Sequence, residues 1–336
     1  MRSIAPYVMG VLGIVVLLLG TGRTLPRAAE PDMAPYKQSF QPLPDAPAAP
    51  PDNPSTPEKV ELGKMLYFDR RLSKTGATSC NYCHDLAYYG AEPVAKSLGI
   101  EGKVHLRHSP TVLNSGFLRG QFWDGRDPDL ETQALSAIKS SVAMGEDPAR
   151  VAQRLNALPE YRARFQRVFG TDATPEAIGK AIAAFERTLN TPDYPLARYL
   201  KGDDAALDAE QKAGMRLFVD KGCIACHGGP NFSRGTLARI VVPGAEGDEG
   251  LKRTTKRDED QYLFRVPSLL NVAMTAPYTH TGSIKTLDAM VRLMGKEALR
   301  TTLTDDEVSR LVAFLHSLTG KLPEVTPPVL PVAPHD

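Results

Sequence analysis

Beyond residue 55 the chain sorts into stretches where apolar side chains recur at helical spacing, separated by runs rich in glycine and proline. Thr56, Pro57 and Glu58 form a start signal: an N-cap, a first-turn proline and an acid at the positive helix end. Val60, Leu62, Met65 and Leu66 then share one face, so a helix is predicted from Pro57 to about Asp69-Arg70. Residues 149–169 carry Val151, Leu155, Leu158, Phe165 and Phe169 inward, and residues 175–189 carry Ile178, Ile182 and Phe185. Residues 305–318, capped by Thr304, present Val308, Leu311, Val312 and Leu315. Residues 90–102 and 228–260 lack periodicity and read as loops. The predicted fold is mostly α with long loops.

Cys80-Asn81-Tyr82-Cys83-His84 stands just after the first of these helices and recurs as Cys223-Ile224-Ala225-Cys226-His227. C-x-x-C-H is the attachment pattern of c-type haem. Both thiols form thioethers to the haem, and the adjacent imidazole becomes the proximal iron ligand. The pentads use all 4 cysteines, leaving none for a disulfide. A thioredoxin-type pair needs no histidine next to it, and a zinc site would make the repeated histidine a coincidence. Two covalent haems are therefore the expected cofactors.

The repeat extends upstream. Gly63-Lys64-Met65-Leu66-Tyr67-Phe68-Asp69 aligns without a gap on Gly214-Met215-Arg216-Leu217-Phe218-Val219-Asp220. Each haem thus has its own helix and pocket, which predicts two cytochrome c-like domains. Their expected limits are residues 56–193 and 194–321, joined at the proline-containing run 191–195. Charged residues at 24% and a formal net charge of +1 give no signal for nucleic acid.

The ends read differently. Residues 4–20 are largely apolar after Met1-Arg2-Ser3, so residues 1–24 are expected to be a signal peptide or membrane anchor. The run is short for a span, and Pro6 and Gly10 weaken it as a helix. Residues 25–55 are a proline-rich linker or wrapping arm, and 322–336 a proline-rich tail running over the surface. Haem attachment points to export, so the expected location is the periplasm, soluble or N-terminally anchored.

Beyond the proximal histidines, the chain offers His105, His108, His280, His316 and His335, and after the second pentad Met274, Met290 and Met294. A methionine sixth ligand favours electron transfer and an open site favours chemistry. Spacing alone does not choose among these side chains.

Several further motifs carry a resemblance. They are residues 62–69 (Leu-Gly-Lys-Met-Leu-Tyr-Phe-Asp), Pro110-Thr111-Val112-Leu113-Asn114, Phe122-Trp123-Asp124-Gly125-Arg126, Leu200-Lys201-Gly202-Asp203-Asp204 and residues 275–282 (Thr-Ala-Pro-Tyr-Thr-His-Thr-Gly). With the paired pentads, they make the chain resemble the bacterial di-haem cytochrome c peroxidases, from about Leu62 to the last helix. The resemblance implies a peroxide-reacting haem at His84 and an electron-receiving haem at His227. It implies electrons from a small cytochrome c or cupredoxin, hydrogen peroxide as substrate and a homodimer; the charge balance adds the expectation of no nucleic acid partner. By the family's Met-Gly pair, Met294 is the second haem's sixth ligand, with Met290 one turn earlier as the alternative. The related enzymes that mature methylamine dehydrogenase have a tyrosine there, and Tyr278 is the residue that keeps that reading open. Trp123 matches a tryptophan between the haems, as electron relay or core aromatic.

The same alignment exposes departures. The family's distal histidine falls on Ile100 and its catalytic glutamate on Ala143, whereas its glutamine remains as Gln133. An asparagine that helps hold a calcium ion falls on His108, while Thr275 and Pro277, whose carbonyls complete that site, remain. Peroxide reduction needs a proton moved between the two oxygens, a step to which a placed acid contributes about 10²–10⁴-fold. Glu146 offers a substitute if the segment after Ala143 is helical, and His105 or His108 if their loop approaches the iron. Without a substitute, the chain reads as an electron carrier or as an oxidase acting on another substrate.

Overall fold

The computed structural model describes residues 32–332. The predicted signal or anchor and His335 lie outside the described residues, and among those described no helix is long and apolar enough to cross a membrane. A short turn of helix, α1 (Ala34–Lys37), opens the chain. A first bundle follows: α2 (Pro57–Phe68), α3 (Cys80–Cys83), α4 (Leu130–Lys139), α5 (Pro148–Asn156), α6 (Pro159–Phe169) and α7 (Pro175–Glu186). The second contains α8 (Pro195–Leu200), α9 (Ala209–Asp220), α10 (Lys252–Thr255), α11 (Leu287–Glu297) and α12 (Asp305–His316). The strands β1 (Leu237–Arg239) and β2 (Leu263–Arg265) pair antiparallel, with Ala238 opposite Phe264.

The predicted caps form. Thr56 accepts from the Lys59 amide, and Thr304 with Glu307 makes a full capping box. The stretch 149–169 is two helices, not one. Leu158 precedes Pro159 and takes extended dihedrals (φ −100°, ψ 110°), because the proline ring crowds a helical residue before it. The loop 228–260 contains β1 and α10, which are too short to show a period.

One crossing repeats in both bundles. In the first, α2 meets α7 so closely that a Cβ on Gly63 would lie 1.9 Å from the Ala181 carbonyl oxygen. In the second, α9 meets α12, and a Cβ on Gly214 would lie 1.9 Å from the Arg310 oxygen. The glycines aligned from sequence are the contact points that let each backbone pair touch.

The proline-rich ends cross between the bundles. Phe40 and Leu43 are buried in the second core, where Phe40 stacks on Phe232 at 5.7 Å. Anchors of this size contribute about 2 kcal/mol each. Ten residues later, Asn53 is fully buried in the first bundle, donating to Glu131 Oε1 at 2.7 Å. In return the tail runs from the second bundle over the surface of the first, where Leu322, Val325 and Leu330 pack. Between the bundles, Thr191 Oγ1 receives the side-chain amides of Asn114 and Asn271, each at 2.9 Å.

Candidate active site

The first pentad folds as one turn of helix, α3, with His84 at its end. It opens onto a cavity of about 450 Å³ lined by Cys80, Cys83 and His84. His84 Nδ1 donates to the Pro110 carbonyl at 2.9 Å, leaving Nε2 as the free lone pair. Burial holds the imidazole neutral, with its pKa down to about 4. The Tyr67 hydroxyl fixes the turn by donating to the His84 carbonyl at 2.7 Å. Burial also pushes the Cys83 thiol up to about 12 and raises Cys80 further, so neither ionises near neutral pH.

Gln133 and Ala137 of α4 and the turn Val142-Ala143-Met144 form another part of this cavity's lining. That turn is not helical: the Gly145 amide closes on the Ser140 carbonyl at 2.7 Å. Glu146 therefore does not share a face with Ala143. It is buried against Arg154, 2.5 Å from Nη2, and is absent from the cavity lining. Ile100 is also absent from it. Its amide bonds the Val142 carbonyl at 3.1 Å, and its side chain lies against Gly145. The segment that carries the family's histidine position thus buttresses the turn from behind. His105 does line the cavity, and its Nε2 is buried without a partner. His108 lines it too, with Nδ1 2.9 Å from the Val94 carbonyl.

The second cavity is narrower, about 210 Å³, and holds Cys223 and His227. His227 Nδ1 lies 3.3 Å from the Phe232 carbonyl, and burial lowers its pKa. Met290 and Met294 of α11 both line it, one turn apart. Met290 also packs against the second bundle's core, whereas Met294 does not. Tyr278, Thr275 and Pro277 complete this side. His280 is buried and stacked 3.9 Å from Phe264, and burial lowers its pKa to about 4. His316 is exposed at the end of α12.

Five residues line both cavities: His108, Pro110, Thr111, Trp123 and Arg265. Trp123 is held from two sides, its Nε1 on the His108 carbonyl and its own carbonyl on the Arg265 amide, both at 2.7 Å. Arg265 is 6% exposed. Its guanidinium donates to the Phe122 carbonyl at 3.2 Å and makes no ion pair among the described residues. A buried cation without an anion is costly, and burial drags its pKa down to about 10. Asp124, the carboxylate that acts on it in this wall, is already paired with Arg107 and Arg126, so haem propionates would give Arg265 an anion of its own. Free cysteines beside an imidazole with a bare Nε2, in cavities that share an unpaired arginine, fit two covalent haems.

Calcium fits less well. It takes roughly six to eight oxygen ligands, and the side chain at 108 offers nitrogens, one already bound to Val94.

Sequence reasoning missed Arg265 and also Glu186, a buried carboxyl on the first cavity wall. A signal for the region existed. Pro110-Thr111-Val112-Leu113-Asn114 recurs as Pro267-Ser268-Leu269-Leu270-Asn271. Both asparagines take positive φ, 60° and 62°, and both prolines present a carbonyl to a proximal histidine.

Known proteins place the chain. Residues 57–205 match the family described as di-haem cytochrome c peroxidase, and residues 211–319 match cytochrome c. The cytochrome c551 peroxidase of Pseudomonas aeruginosa is 43% identical over 306 residues, covering 88% of each chain. The methylamine utilization protein MauG of Methylophilus methylotrophus is 34% identical, covering 88% of this chain and 92% of its own. A solved MauG-like protein associated with microbial copper homeostasis superposes with a TM-score of 0.74 at 26% identity, covering 84% of this chain and 94% of its own. The chain is an oxidoreductase of the di-haem cytochrome c peroxidase family and carries two c-type haems.

Proposed function

We propose that the protein reduces hydrogen peroxide to water at the haem of Cys80, Cys83 and His84. Electrons reach it one at a time from a small cytochrome c or cupredoxin, through the haem of Cys223, Cys226 and His227. The observation that carries this reading is the shared wall: Trp123 and Arg265 border both cavities, so the two redox centres stand on either side of one residue layer. One peroxide, two electrons and two protons yield two waters.

When bound, haem iron supplies the one-electron steps that no side chain here performs. The chain's own residues do the rest. His84 and His227 present neutral imidazoles, each oriented through Nδ1. Met294 lines the second cavity and would offer its thioether to the iron of a haem held there, a ligand that suits electron transfer. Gln133 lines the first cavity with an amide able to donate a hydrogen bond, and His105, with its unpartnered Nε2, is positioned to hold or move a proton there. Glu146 is committed to Arg154. We place the protein in the periplasm, as a homodimer like the family.

The test is peroxide consumption by the di-haem protein with a reduced small cytochrome. Turnover well above that of free haem is expected, and a rate no better than free haem would falsify the proposal. Ala143→Glu restores an acid at the turn and is expected to raise turnover by about 10–100-fold.

A second reading rests on His105. If its Nε2 binds the first iron, the protein is an electron carrier. A low-spin six-coordinate first haem in both the oxidised and the half-reduced protein, converted to high spin by His105→Ala, would establish that instead.

A further inference from the structure

The repeated helix crossing puts the two haem walls in register. Gly63 meets the Ala181 carbonyl and the Phe185 Cβ, and Gly214 meets the Arg310 carbonyl and the Phe314 Cβ. Position 181 therefore corresponds to 310, and 185 to 314. One helical step further on, Glu186 corresponds to Leu315. Each lines its own cavity, as do Ile182 and Leu311 at the next equivalent pair. The second haem thus meets two aliphatic side chains where the first meets an aliphatic and a carboxyl.

A carboxyl in that place is expensive. Glu186 is 4% exposed, and its Oε2 is buried without a hydrogen-bond partner. Burying an unpaired carboxylate costs several kcal/mol, and protonation is how such a group escapes the cost. The neighbouring cation relieves it only in part, because Arg187 Nη2 is 2.8 Å from Glu131 Oε2 on α4 and is shared with that carboxylate. The other ionisable groups around it are Tyr67 from α2 and Cys80 from α3, and neither brings a positive charge. Burial, with Glu131 adding to it and Arg187 opposing, raises the Glu186 pKa to about 8.

The geometry points to Glu186 as the proton-holding acid of the first haem pocket: it binds up to one proton from solvent when an electron enters that haem, and gives it up when the haem is reoxidised. The reductant is any one-electron donor, such as a small redox protein. The inference rests on a haem at Cys80, Cys83 and His84 and is independent of which oxidant that haem meets. The sign follows from charge. Reduction removes one positive charge from the iron, which makes the carboxylate less favourable, so the acid is weaker in the reduced state. Between the two values the reduction equilibrium shifts up to tenfold per pH unit, about 59 mV for one electron. Leu315 gives the second haem no such group.

The test is a redox titration of the di-haem protein across pH 5–10, reading each haem by its own spectrum, with haem content checked first. In the wild type the first haem's potential is expected to fall with rising pH through the region near 8. Glu186→Gln and Glu186→Leu are expected to flatten it there and leave the second haem's profile unchanged. An unaltered first-haem slope in Glu186→Gln overturns the proposal. Infrared difference spectra of the reduced and oxidised protein supply an independent reading. A protonated-carboxyl band present in the wild type and missing in the near-isosteric Gln variant supports it, and identical spectra overturn it.

Discussion

The Trp123 indole nitrogen donates to the His108 carbonyl oxygen at 2.7 Å, a bond that fixes the ring in the layer between the two cavities. His108 is itself held by its amide on the His280 carbonyl, 2.8 Å away. The indole therefore leans on backbone that belongs to the second haem's side. Trp123→Phe keeps an aromatic ring and removes the donor. It is expected to cost about 1 kcal/mol of stability. It is also expected to slow electron transfer between the haems, measured by following the first haem after rapid reduction of the second.

Arg265 is the fixed buried cation in the same layer. Replacing it by methionine removes a positive charge that disfavours ferric iron on both sides. Both haem potentials are expected to fall, by on the order of 1–2 kcal/mol each. Arg265→Lys keeps the charge and is expected to fall less. Potentiometry resolves the two haems, and a shift confined to one would show that the cation serves only that haem.

The glycine contacts set the stability of each bundle separately. Gly63→Ala and Gly214→Ala each force a Cβ to within 1.9 Å of a facing carbonyl oxygen. Overpacking of this kind costs about 1–3 kcal/mol, and the facing atom here is rigid backbone. Thermal unfolding monitored at each haem should show the loss first at the haem whose helix crossing was changed.

Met294 and Met290 separate by ligand chemistry. Met294→His is expected to lower the second haem's potential strongly, because imidazole replaces a thioether. Met290→Leu keeps a packed aliphatic side chain and is expected to leave the potential nearly unchanged. The opposite pattern in redox titration would move the ligand to Met290.

Much of the architecture was legible in the residues. Thr56 and Thr304 mark helix starts by side-chain chemistry that acts within three residues, and both caps form. Gly63 and Gly214 were visible as a repeat, and they turn out to be crossing points. The break at Pro159 was also available, since the proline restricts Leu158 directly, yet the apolar spacing ran on through it. The short strand pair was not legible, because three residues carry too little pattern to register.

What the chain determines by itself is covalent and local. Two pentads specify where haem attaches, and nearby caps and apolar spacing specify the helices that hold it. Tertiary structure alone decides which side chains face the iron. Ile100 and Ala143 are adjacent in space, yet the first turns behind the loop and the second lines the cavity. Glu146 has the right chemistry but spends it on Arg154. Arg265 and Glu186 are ordinary residues in the sequence, and they matter because packing buries each beside a haem cavity with no ion pair among the described residues. The Glu146–Arg154 pair spans only eight residues, but the burial of Arg265 and Glu186 depends on partners tens to hundreds of residues away, so no local pattern records it.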